Sequence, residues 1–86
     1  MLIVSQNRKE VVNFNEVVNI WIAYDETKNK YSLDATGCTG STLGYYETEE
    51  RAKEVLQEII EKYESQNCII YNARVKQNAI YEMPEK

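Results

Sequence analysis

The chain has no histidine, one proline, three glycines and two cysteines in 86 residues, and these scarcities remove whole classes of function. Without histidine, a serine, threonine or cysteine nucleophile has no imidazole to take its proton, so a catalytic triad or a Cys–His pair is excluded. A zinc site needs histidine or more cysteine than Cys38 and Cys68 provide, and neither a metal nor a cofactor is expected. Those two cysteines are also too few and too far apart for a secreted disulfide framework, and they read as reduced, small apolar side chains. Long hydrophobic runs are missing too. The opening Met1–Val4 run stops at Ser5 with no export-signal core behind it, and no stretch approaches the roughly 20 apolar residues of a membrane span. The expectation is a cytoplasmic protein with no membrane partner.

At this length one hydrophobic core is affordable, so residues 1–86 are expected to form a single domain. The clearest element is a helix over about Thr48–Tyr63. Its apolar residues Ala52, Val55, Leu56, Ile59, Ile60 and Tyr63 fall at the spacing of one buried stripe. Thr48 suits the N-cap and Glu49 and Glu50 suit the first-turn dipole, while Arg51 stands where a capping box would have Glu or Gln. The net charge of −4 is concentrated in this segment: seven acids and three bases lie between Glu47 and Glu64, and the remainder of the chain is neutral. Duplex DNA or RNA is therefore not an expected partner, because clustered Lys and Arg supply that affinity. The acidic face has two readings. It solvates and supports the helix through pairs such as Glu49–Lys53 and Glu58–Lys62, or it docks on a basic host protein.

The rest reads as strands. Leu2–Gln6 and Val11–Phe14 flank a polar turn, with Val12 and Phe14 on one face. Val18, Ile20, Ile22 and Tyr24 alternate with Asn19, Trp21, Ala23 and Asp25, the strongest period-2 signal in the chain, and Trp21 on the opposite face suggests a strand covered on both sides. Tyr31–Thr36 follows a polar hairpin connection, Ser41–Tyr46 leads into the helix, and residues 68–75 and 79–83 complete the set. The fold class expected is α+β: an antiparallel β-meander of five or more strands, one amphipathic helix packed on one face, and a C-terminal β-hairpin or strand. Ala52, Val55, Leu56, Ile59 and Ile60 should be buried with Ile20, Ile22 and Leu33.

Little of this carries catalytic chemistry. Asp25 and Asp34 sit beside turns, where such residues serve the local backbone, and the protein is expected not to be an enzyme. Gly37-Cys-Thr-Gly-Ser-Thr-Leu-Gly44 has glycines and hydroxyls able to present backbone N–H groups to a phosphate, but lacks the ending and the loop-to-helix geometry of a P-loop; it also reads simply as a hairpin turn. Tyr45 and Tyr46 follow it immediately, and aromatic faces beside phosphate donors hold nucleotides. Seven tyrosines and one tryptophan against one phenylalanine is an aromatic set biased towards binding surfaces. The candidate ligand-binding residues are thus Tyr45 and Tyr46 for the base, Gly40, Ser41 and Thr42 for phosphate, and Arg74 or Arg8 for charge. Tyr71, Tyr81 and Arg74 read as a self-association patch, as a ligand wall or simply as strand residues of a half-buried sheet, and Trp21 with the short final strand argues for a homo-oligomer.

The opening Met-Leu-Ile-Val-Ser-Gln, the segment Val-Val-Asn-Phe-Asn, the block Leu-Gly-Tyr-Tyr-Glu-Thr-Glu-Glu-Arg-Ala-Lys-Glu-Val-Leu-Gln-Glu-Ile and the ending Tyr-Glu-Met-Pro-Glu-Lys resemble a group of short proteins. That group is encoded by phages and integrative elements of low-GC Gram-positive bacteria. The resemblance implies a counter-defence context. Two expectations follow: a sponge that sequesters a host nucleotide immune signal, such as a cyclic ADP-ribose isomer or a cyclic oligonucleotide, or a protein-binding inhibitor acting through the acidic helix or an edge strand.

Overall fold

In the computed structural model, which describes residues 1–37, 40–67 and 80–86, the strands divide between two sheets that share one core. β1 (Leu2–Val4) pairs antiparallel with β2 (Val11–Asn13), and a 3₁₀ turn over Phe14–Glu16 follows. β3 (Asn19–Asp25), β4 (Lys30–Thr36) and β5 (Ser41–Tyr46) form an antiparallel meander in spatial order. The helix α1 (Glu49–Asn67) packs on that meander, and β6 (Ile80–Glu82) returns to lie parallel to β1, with Leu2 opposite Ile80. The fold is α+β, and its C-terminal element is a strand. The expected strand over 68–75, with Tyr71 and Arg74, lies outside the described residues, as does Cys38.

The helix forms where the apolar periodicity places it. The Thr48 hydroxyl accepts the Arg51 N–H at 3.1 Å, satisfying one of the orphan donors of the first turn. Its far end runs four residues beyond Tyr63, because Glu64–Asn67 contains no glycine or proline to stop it. The buried stripe is narrower than expected. Ala52, Val55 and Ile59 are fully buried, Leu56 and Tyr63 are half-buried, and Ile60 is 41% exposed. Ile20 and Ile22 are also only half-buried while Leu33 is fully buried, since β3 is an outer strand of its sheet and β4 the central one. Val18 falls before β3 begins and is 85% exposed. Tyr63 meets Phe14 edge-to-face at 5.2 Å, which carries the 3₁₀ turn onto the helix.

Ile3 of β1 and Met83, just after β6, join Leu33, Ala35, Leu43, Tyr46 and the helix stripe in one cluster. Two devices connect the sheets. The Gln6 N–H donates to the Leu43 carbonyl at 2.7 Å, and its side-chain amide pairs with both backbone groups of Tyr45, accepting from the N–H at 2.7 Å and donating to the carbonyl at 2.8 Å. Gln6 thus substitutes for a fourth strand along β5. Gly44 is what permits the approach, since a Cβ there would stand 3.0 Å from Gln6 Cβ and 3.1 Å from the Tyr46 hydroxyl. At the opposite end of the meander Gly37 lies against the 3₁₀ turn, where a Cβ would come within 2.1 Å of the Glu16 carbonyl oxygen.

Candidate ligand-binding site

The β4–β5 register decides which side chains share a face. Asp34 pairs with Thr42 and Ser32 pairs with Tyr45, with a bulge between those rows that leaves Leu43 unpaired. Strict alternation would place Thr42 with Tyr46. The extra residue instead brings Thr42 and Tyr45 to the face away from the helix, alongside Trp21, which pairs with Asp34 across β3–β4. Trp21 is 37% exposed and Thr42 is exposed, so this face is open along their row, contrary to the expectation of a strand covered on both sides, while Ser32 beneath the Tyr45 row is buried.

The two adjacent tyrosines therefore have opposite roles. Tyr46 is 1% exposed; its ring fills the core and its hydroxyl donates to the Pro84 carbonyl at 2.9 Å. Burial pushes that hydroxyl up to about 12, and it stays protonated at neutral pH. No ligand can stack on a ring packed in this way. Tyr45 is half-buried, its backbone clamped by Gln6, with the Lys28 ammonium 5.0 Å from its ring centroid. Beside it a cleft of about 570 Å³ is lined by Lys30, Tyr45, Tyr46, Glu47, Arg51 and the terminal segment at Glu85 and Lys86. That volume lies within the range of small-molecule sites.

Charge at this cleft is partly held and partly exchangeable. Arg51 donates through Nε to the Lys86 carbonyl at 2.9 Å and reaches Glu54 at 3.1 Å and Glu58 at 3.7 Å, so its guanidinium is fixed at the mouth. Lys30 meets Glu47 at 3.4 Å, both well exposed, a pair of little energetic worth that a phosphate could replace.

The remaining expected residues go elsewhere. Ser41 and Thr42 begin β5 with their backbones paired to Ala35 and Asp34, and their hydroxyls donate to carboxylates: Ser41 to Glu10 at 2.8 Å, Thr42 to Asp34 at 2.9 Å. A phosphate brought there would meet two acids, and Gly40, just before the strand, belongs to the same neighbourhood. This segment is a strand start bordered by acids and not a phosphate cradle. Arg8 has left-handed backbone (φ 63°), and its guanidinium donates to the Ser5 and Met83 carbonyls at 3.1 and 2.9 Å and lies 3.7 Å from Glu82. It ties the β1–β2 turn to the end of β6 and supplies no charge to Tyr45. Arg74 lies outside the described residues. Lys28, Lys30, Arg51 and Gln6 were not anticipated as site residues. Lys28 and Lys30 carried the one usable signal, as cations in the hairpin leading to Tyr31.

A second cleft, about 210 Å³, opens between β2, the 3₁₀ turn and the ends of β4 and β5. Val12, Val17 and Ala35 line it with Glu10 and Glu16 at its rim, and its described lining holds neither a cation nor an aromatic ring. It suits an anionic aromatic ligand poorly. Among the described residues no group of acids and cysteines is arranged to hold a metal ion, and no helix is long and apolar enough to cross a membrane. No family model, curated protein or solved structure matches this chain.

Proposed function

We propose that this protein binds a nucleotide without transforming it, and that it acts as a phage counter-defence sponge for a host nucleotide immune signal, a cyclic ADP-ribose isomer or a cyclic oligonucleotide. The observation that carries the reading is the Tyr45 ring with Lys28 above it, beside a cleft bearing Lys30, Arg51 and Lys86. An aromatic surface next to one exchangeable cation, Lys30, suits a ligand that is flat at one end and anionic at the other. The phage context comes from the resemblance of the strand and helix starts alone, so the ligand class rests on the cleft and the biological role on the resemblance. Exposed Trp21 on the face of Tyr45 supports association of two copies, which would enclose a ligand held there.

The test is to incubate the protein with a panel of cyclic nucleotide signals, remove unbound material, denature by heat and identify what is released. Intact release supports a sponge, a converted product indicates an enzyme, and absence of binding across the panel refutes the reading.

A second reading is kept by the exposed acids of α1, which present a negative face to a basic host protein. Glu58 is a poor residue for testing it, because its carboxylate accepts the Tyr81 hydroxyl at 2.6 Å and pairs with Arg51. Glu54 is unsuitable for the same reason, since it pairs with Arg51 at 3.1 Å; reversing Glu50, Glu61 and Glu64 to lysine should abolish activity under this model and leave nucleotide binding intact under the first.

A further inference from the structure

The outer face has a polarity that goes beyond a stacking surface. Ser32, the cross-strand partner of Tyr45, is flanked on β4 by Lys30 on one side and Asp34 on the other, each two residues away and hence on the same face. Lys30 lines the cleft with Arg51 and Lys86. Asp34 lies in the other direction, in the row of Trp21 and Thr42. A flat ring lying on Tyr45 therefore has a cationic end and a carboxylate end. Lys30 and Asp34 are four residues apart on one strand, about 13 Å between their backbones, and the long Lys30 side chain shortens that span towards the reach of a mononucleotide from base edge to phosphate.

Asp34 is held ready to accept. Thr42 Oγ1 donates to one of its oxygens at 2.9 Å and Ser32 Oγ to the other at 3.3 Å. These two hydroxyls fix the plane of the carboxylate and leave further lone pairs on both oxygens. A carboxylate oriented in this way favours two adjacent N–H donors over a donor beside an acceptor, where one oxygen would face a lone pair. Among the common bases, guanine alone presents two neighbouring donors on its Watson–Crick edge, N1–H and the N2 amino group. Adenine and cytosine place an amino donor beside an acceptor nitrogen, and uracil sets one N–H between two carbonyls. The Watson–Crick edge also lies on the far side of a purine from its glycosidic nitrogen. Base edge and phosphate then point in opposite directions, as do Asp34 and Lys30.

Resting on the reading that Tyr45 stacks a nucleobase, we infer that this face selects guanine nucleotides, with Asp34 accepting from N1–H and the N2 amino group and with the phosphate at Lys30, which narrows the proposed signal to a guanine-bearing cyclic oligonucleotide and away from the adenine-bearing cyclic ADP-ribose isomers. No bond is made or broken, so the selectivity is one of binding.

The experiment is a calorimetric titration of the protein with guanosine, inosine, adenosine and cytidine monophosphates, with Trp21 fluorescence as a second readout because Trp21 pairs with Asp34. Guanosine monophosphate should bind at least about tenfold more tightly than the adenosine and cytidine forms, since with those bases one Asp34 oxygen faces an acceptor lone pair and gains no donor. Inosine monophosphate, which keeps N1–H and lacks the amino group, should fall between, a comparison that needs no variant. Asp34→Asn should bring guanosine and adenosine monophosphates to within about twofold of each other, with circular dichroism confirming the fold. Equal affinity for guanosine and adenosine forms, or an Asp34→Asn protein that keeps the preference, overturns the inference. If all the nucleotides bind alike and Tyr45→Ala abolishes binding, the stacking site stands and guanine selection falls. If none of the mononucleotides binds, guanine selection falls, and the release assay with cyclic signals decides the stacking site separately.

Discussion

The two faces of the β3–β4–β5 meander come from alternate residues of the same strands, yet one is a core and the other a candidate recognition surface. Under the helix, Leu33, Ala35, Leu43 and Tyr46 are almost wholly buried. On the other side Trp21, Asp34, Thr42 and Tyr45 are exposed or half-buried, and the Asp34 carboxylate accepts from the Thr42 and Ser32 hydroxyls within the sheet. Neighbouring residues of one type therefore do different work. Tyr45 and Tyr46 are separated by one peptide bond and by the thickness of the sheet, and strand geometry, not residue chemistry, leaves only the first accessible for the proposed stacking role.

Breaking the inner face should have the largest effect. Leu33→Ala removes a side chain with no exposure and should cost about 2–5 kcal/mol, read as a lowered denaturation midpoint, whereas half-buried Leu56→Ala should lie at or below the lower end of that range. A Leu56 truncation as costly as that of Leu33 would mean that the helix seats more deeply than described. Gln6→Ala should come next, at about 2–3 kcal/mol, because it strands both backbone groups of Tyr45 and removes donors from the Pro84 and Glu85 carbonyls. Loss of the Gln6 clamp should also loosen Tyr45, so nucleotide binding should weaken in a variant that touches no ligand.

Alkaline titration probes the same contrast without mutation. Burial raises the Tyr46 hydroxyl to about 12 from an ordinary 10.0, and burial followed by the Glu58 carboxylate raises that of Tyr81. A folded pKa above the unfolded one gives stability that is complete below pH 10 and lost as the pH climbs towards 12. Each such group contributes a slope of up to about 1.4 kcal/mol per pH unit. Thermal melts should fall steeply across that window, and Tyr46→Phe should flatten the fall. The smallest stability effect is expected for Tyr45→Ala, under about 1.5 kcal/mol, because its ring is half-exposed and its backbone bonds remain.

Much of the architecture was legible in the sequence. The helix stripe, the Thr48 cap and the alternation of β3 and β4 are local patterns, and they survive because packing agrees with them. What was illegible depends on partners distant in the chain. Gln6 reads as one more polar turn residue, and only the fold brings it 39 positions along the chain to Tyr45. The bulge at Leu43 leaves no compositional mark, yet it moves Thr42 to the face of Tyr45. The glycine and hydroxyl run from Gly40 looked like a phosphate cradle because sequence shows the donors and not Glu10 and Asp34, which occupy them. Periodicity places Ile60 in the core although it is 41% exposed, because it gives the centre of a stripe and not its width.

The central claim is that the outer face at Tyr45 is a nucleotide site and the inner face at Tyr46 is not. The most direct measurement is one calorimetric titration with guanosine monophosphate, run on the unmodified protein, Tyr45→Ala and Tyr46→Phe. The account predicts binding by the unmodified protein and by Tyr46→Phe, and loss of at least about tenfold in affinity for Tyr45→Ala at unchanged fold. Binding that survives in Tyr45→Ala, or that is absent from all three proteins, would contradict it.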